Sequence, residues 1–319
     1  MSATTSVPEK APERPAAKPP RSRGDRLFSG AARAAGLTIL AALAGVFIFL
    51  TIEGVPGLSQ PTSTYAPNHD FLSYVGPLIY GTILAAVLAL LLAVPFALGI
   101  ALFISHYAPR RLAVPVAYVI DLLAAVPSVV FGLWGARSLA TWLVPLHAWL
   151  YGHLSWLPFF AGPPSVTGRT IFTAGIVLAI MILPIITAIS REVFAQTPRL
   201  DQEAALALGA TRWEMVRMSV FPYARSGMVS AVMLGLGRAL GETMAVAMVL
   251  SASPVVTLNL ISNTNPATVA SNIASSFAEA TPAKLHVLIA TGLVLFAFTF
   301  AVNFAARWVV GRNERRMAR

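Results

Sequence analysis

The hydrophobic positions of this chain fall into runs longer than a soluble core needs. A helix rises about 1.5 Å per residue, so about 20 apolar residues cross a hydrocarbon layer of roughly 30 Å. Six stretches reach that length: residues 30–52, 76–105, 112–140, 170–195, 225–252 and 284–308. The pattern predicts an all-α membrane protein with six transmembrane helices. Ahead of the first run, "PEKAPERPAAKPPRSRGDR" is too rich in proline, alanine and charge to bury a core, which predicts a disordered tail over residues 1–27. Residues 28–319 are then one transmembrane domain with a core of about 76–308. No small-residue cleavage site follows "FIFLTIEG", so the first run is read as a retained anchor and not a signal peptide.

Composition agrees with this setting. Of 319 residues, 56% are hydrophobic and 11% charged, proportions that belong in a bilayer. There is no cysteine, which excludes disulfides, thiolate metal sites and cysteine nucleophiles. The net charge of +10 would suggest nucleic acid in a soluble protein, but its distribution gives another reason. With both termini placed in the cytoplasm, 19 of the 23 lysines and arginines fall on that side, and only Arg169 and Lys284 fall outside. That is a topology signal, and no nucleic-acid partner is expected.

The outer connection "PLHAWLYGHLSWLPFFAGPPSVTG", residues 145–168, interleaves Trp149, Tyr151 and Trp156 with His147 and His153. Aromatic rings of this kind settle at the headgroup level, so the expectation is an interfacial helix or loop against membrane lipid. A two-histidine metal site would need a third ligand, which the sequence does not offer nearby, and no metal or cofactor is expected.

The most informative polar segment is "TPRLDQEAALALGATRWEMVRMSVFP", residues 197–222. Thr197 and Pro198 suit a helix start, Gly209 suits its left-handed end, and Thr211 with Glu214 three residues later makes a capping box. The expectation is a helix, a glycine turn and a second helix. Glu203, Ala204 and Ala205, then three residues and Gly209, with Pro222 thirteen further on, resemble the EAA loop of ABC importer membrane subunits. Ser219 and Phe221 depart from the Ile and Leu of that signature. The resemblance implies that Glu203, Ala204, Ala205 and Gly209, with Arg212 beside them, contact an ATP-hydrolysing subunit. The chain itself has no phosphate-cradling loop, since its only lysines are Lys10, Lys18 and Lys284 and none follows a glycine. It is not expected to be an enzyme.

The fifth run holds "GLGRALGET", residues 235–243, with an arginine near mid-depth. Arg238 lies about 20 Å along a helix from Arg225, where insertion of an arginine costs roughly 2.5–3.5 kcal/mol. Glu242 at i+4 is expected on the same face, where it offsets part of that cost, and Gly237 with Gly241, four apart, is expected to let another helix approach closely. A guanidinium at this depth suits a tetrahedral oxyanion, because its planar fork of donors matches such oxygens. Glu242 would hold the arginine when no anion is bound and accept a proton-bearing ligand oxygen when one is.

At these residues the resemblance narrows. "GRALGETMAVAM", "DLLAAVPSVVFGLWG" at residues 121–135 and "YGTILAAVLALLLAVPFALGIALFIS" at residues 80–105 resemble the permeases of phosphate-specific transport (Pst) systems, closer to the PstC-like than the PstA-like subunit. The family implies a type I ABC importer permease fold and phosphate carried inward by alternating access across a bacterial cytoplasmic membrane. It also implies a PstA-like permease partner, a PstB-like ATPase dimer and an extracytoplasmic PstS-like phosphate-binding protein. Arg238 and Glu242 match its charged pair. Thr243, Asp121, Ser128 and Arg137 lie in or beside the same motifs and are further pathway candidates. Pro95, Pro127 and Pro184 are expected to interrupt their spans and make room for a cavity or hinge. The residues leave open a permease for sulfate or molybdate, or an anion channel.

Overall fold

A computed structural model describes residues 23–317. The expected tail therefore lies mostly outside the described residues, although its last five residues, from Arg23, already belong to the first helix. The chain forms two units divided between Ile48 and Phe49. Helix α1, Arg23–Gly54, begins in the first and ends in the second.

The remaining helices are α2 (Phe71–Leu102), α3 (Arg110–Ala124), α4 (Ser128–Trp134), α5 (Ala140–Leu154) and α6 (Ile171–Ala195). They are followed by α7 (Arg199–Ala207), α8 (Arg212–Met215), α9 (Phe221–Leu240), α10 (Met244–Val249), α11 (Val269–Ser276) and α12 (Pro282–Met317). Single π-helical turns at Phe103–Tyr107, Gly135–Leu139 and Val216–Val220 extend α2 and join α4 to α5 and α8 to α9. Among the described residues five stretches are long and apolar enough to span a membrane: 27–58, 71–107, 128–154, 171–195 and 282–308. The all-helical membrane architecture is as expected, but two of the six expected spans are built differently.

The expected third span, 112–140, is two helices. Ala125 to Pro127 separate α3 from α4. Proline cannot donate a backbone hydrogen bond and biases the residue before it away from the helical region, so the chain restarts at Ser128. The helix then runs through the π turn to Leu154, absorbing the first ten residues of what was expected to be an outer connection. Of the three prolines expected to interrupt spans, only Pro127 does so; Pro95 and Pro184 sit inside unbroken helices. The expected fifth span, 225–252, stops at Leu240, and its outer remainder is the six-residue α10.

Helix α6 is the centre of the second unit. Ala85, Ala89, Ala93, Ala97 and Ala101 recur every four residues along one stripe of α2 and are all buried, which lets the α2 backbone lie close to α6. On the other flank, α9 approaches through Gly235, where a Cβ would come within 2.7 Å of Ile186 Cδ1. This corrects the glycine assignment from sequence. Gly237 has no heavy atom within 4 Å of an added Cβ, and Gly241 meets only the Gly237 carbonyl of its own helix.

Between α10 and α11, residues 250–268 lack regular structure yet include the buried polar side chains Asn259, Ser262, Asn265 and Thr268. Their polar groups are paired within the protein. Ile171 N–H donates to Asn265 Oδ1 at 3.2 Å, Ser165 N–H to the Ile261 carbonyl at 2.8 Å and Leu260 N–H to the Phe159 carbonyl at 2.8 Å. Irregular backbone survives in such a protein where its donors and acceptors are satisfied internally.

Candidate functional site

The break after α9 fixes the geometry around Arg238. Gly241 ends α9, and Glu242, 6% exposed, turns its carboxylate forward, where Oε1 accepts the Ala245 N–H at 3.1 Å. That bond satisfies one of the free donors at the start of α10. The helical register that would have placed Glu242 over Arg238 is lost at Gly241, and the two form no ion pair. The expected resting pair is therefore corrected: Glu242 caps α10, and Arg238 has no ion-pair partner among the described residues. Gln at 242 retains an acceptor for the cap and Ala does not. Glu242→Ala is expected to cost about 1 kcal/mol of stability while Glu242→Gln stays near wild type, as a thermal unfolding series in detergent would read.

Arg238 is exposed, on the wall of a cavity of about 820 Å³ between α9 and α12. Ser230, Met233 and Gly237 line it from α9, and Asn303 and Arg307 from α12. No acidic side chain lines it among the described residues, so a charge costly to hold at this depth is turned toward open space. Sequence reasoning missed the α12 wall. In the sequence Arg307 is one of the basic residues of the topology signal, and nothing local links it to a residue 69 positions earlier.

Other expected pathway residues lie elsewhere. Thr243 is in the break beside Glu242, and its carbonyl accepts the Ala247 N–H. Ser128 opens α4, and Arg137 is exposed on the π turn, where its carbonyl accepts the Thr141 hydroxyl. Asp121 is paired with Arg191 at 3.5 Å, joining α3 to the end of α6. None of these, nor Glu242, lines the cavity. Arg169 caps the other end of α10, donating from Nη2 to the Met248 carbonyl. His147 is buried edge-on against Phe172, while His153 stacks on Trp149, so the two histidines have different surroundings. Among the described residues no three His, Asp or Glu side chains converge as metal ligands.

The polar loop is built as its sequence suggested, with one exception. Helix α7 ends at a glycine turn in which Gly209 has φ +86°, and the Thr211–Glu214 capping box is complete. Bonds from the Thr211 backbone N–H and hydroxyl hold the Glu214 carboxyl below the usual carboxylate range. Thr197 does not cap α7. Pro198 occupies that position, and the Thr197 hydroxyl is buried without a partner. Ser219, which departs from the signature, donates to the Asp201 carbonyl at 3.2 Å and so ties the second helix back to α7. Ala205 is buried against the cluster of Phe194, Met215 and Val220. Glu203, Ala204, Gly209 and Arg212 are exposed, and Leu208 and Leu200 are 90% and 78% exposed.

Comparison with known proteins meets this geometry. The family model for binding-protein-dependent transport system inner membrane components matches residues 93–319. Phosphate transport system permease protein PstC 2 of Mycobacterium tuberculosis is 51% identical, over 92% of this chain and 93% of that protein. The PstC proteins of Mycobacterium leprae and Mesorhizobium japonicum are 47% and 38% identical, over 91% and 92% of this chain and 94% and 91% of their own lengths. An inward-facing structure of the MetNI methionine ABC transporter aligns with a TM-score of 0.49 at 17% identity, covering 75% of this chain and 93% of that one. Matched over most of its length by family model and relatives alike, the chain belongs to the binding-protein-dependent transport system inner membrane components, among their PstC-named members.

Proposed function

We propose that this chain is the PstC-like permease subunit of an ATP-driven importer and that it carries inorganic phosphate inward past Arg238. The observation that carries this reading is a guanidinium without an ion-pair partner among the described residues, on the wall of a large cavity in a permease of this family. A planar fork of donors can hold two phosphate oxygens at once. Its isolation from Glu242 means that no internal carboxylate has to be displaced before an anion binds.

ATP hydrolysis is assigned to a partner, a PstB-like dimer that docks on the hairpin of α7 and α8. Exposed Leu200, Leu208 and Trp213 offer that partner an apolar contact, and Glu203 and Arg212 a polar margin. The Gly209 turn lets the hairpin pivot as the dimer closes. A PstA-like permease completes the membrane part, and a PstS-like protein delivers phosphate from outside. Alternating access then exposes Arg238 to each side in turn.

The test is uptake by the assembled complex in vesicles. ATP-dependent accumulation of labelled phosphate, with a hundredfold excess of sulfate or molybdate competing poorly, is expected. Equal competition by those anions would assign another oxyanion, and flux without nucleotide would assign a channel.

A further inference from the structure

The cavity holds two guanidinium groups. Arg238 comes from α9, Arg307 from α12, and neither has an ion-pair partner among the described residues. With the polar hairpin and the C-terminus on the cytoplasmic side, as the distribution of basic residues predicts, α9 runs outward from the hairpin and α12 runs back. Lining residues therefore approach the cytoplasmic side as numbers fall on α9 and as they rise on α12. Arg238 is the outermost lining position of α9 and Asn303 that of α12. Arg307 lies one turn beyond Asn303, roughly 6 Å nearer the cytoplasm.

We propose that Arg307, assisted by Asn303, is a second oxyanion station that draws the substrate off Arg238 and releases it into the cytoplasm. A single guanidinium at mid-depth presents a kinetic difficulty. Low-dielectric walls around such a cavity strengthen its hold on an anion and raise the barrier to leaving. A second cation on the facing wall of the same cavity, one turn beyond Asn303, shares the anion during transfer, so the path descends in two shorter steps, and the exposed Arg307 is screened enough to let go. Asn303 donates one amide N–H to the Thr299 carbonyl and retains a second donor for an oxygen in transit. The sequence offers no other cation on this wall between Lys284 and Arg307.

The inference rests on the phosphate pathway through Arg238, and its test separates the two. The full complex in vesicles is assayed for uptake, for phosphate-stimulated ATP hydrolysis and for inhibition by inorganic phosphate added on the ATPase side. Arg307→Gln is expected to slow maximal uptake about tenfold and to raise the phosphate concentration needed for that inhibition by about tenfold, with Arg307→Lys recovering part of both. A topology or packing role would leave the inhibition constant unchanged. Wild-type uptake and inhibition in Arg307→Gln, with Arg238→Gln inactive, would overturn the exit station alone; active Arg238→Gln would overturn the pathway itself. If the Arg307→Gln defect instead followed the anionic lipid content of the vesicles, with the inhibition constant unmoved, Arg307 would be a headgroup ligand and the proposal would fail.

Discussion

Arg238→Gln is expected to abolish phosphate uptake while the complex still assembles and reaches the membrane. Glutamine keeps much of the side-chain length and a donor but loses the charge and the second parallel donor. The two charge-assisted hydrogen bonds lost with the guanidinium fork are worth about 1.5–3 kcal/mol each, so the loss in rate should be on the order of a hundredfold or more. Assembly should be spared because Arg238 is exposed on the cavity wall and has no ion-pair partner among the described residues. Measured uptake beside co-purification of the partner subunits separates the two effects. A variant that fails to assemble would show that the guanidinium fastens helices.

The second large effect is expected at Gly209. With φ +86° it lies in the left-handed region, where a β-branched residue is strained by about 1–2 kcal/mol. An added Cβ meets no atom within 4 Å, so packing within this chain is not the obstacle. Gly209→Val should force the hairpin open and separate ATP hydrolysis from transport, leaving basal hydrolysis without phosphate stimulation. Gly209→Asn is the control, since asparagine adopts this conformation more readily, and it should keep most of the coupling. Equal coupling in both variants would mean that the turn's backbone does not transmit the motion.

The hairpin was legible because its structure is decided locally. Gly209, Thr211 and Glu214 act within a few residues of one another, and capping geometry follows from spacing alone. The break after Leu240 was harder to read. An apolar run does not distinguish one continuous helix from two joined at mid-depth, and Gly241 followed by Glu242 and Thr243 can serve packing or termination. Termination prevails because the Glu242 carboxylate finds the Ala245 N–H. At Pro127 the sequence offered a kink and the structure a full stop, since α4 turns onto α10, where Gly132 packs against Ala245. The cavity's second wall was beyond sequence reasoning, because Arg307 and Arg238 meet only through the packing of α12 beside α9.

The central claim is that Arg238 faces a water-filled space entered by phosphate. The chain has no cysteine, so a single one can be introduced and labelled without background. Gly237→Cys and Ser230→Cys place a thiol on the cavity wall beside and below Arg238 respectively, in the assembled complex. The account predicts that a charged, membrane-impermeant thiol reagent applied from the cytoplasmic side modifies both, and that phosphate slows the reaction at position 237. Failure of the reagent to reach either position, or reaction indifferent to phosphate at 237, would contradict it.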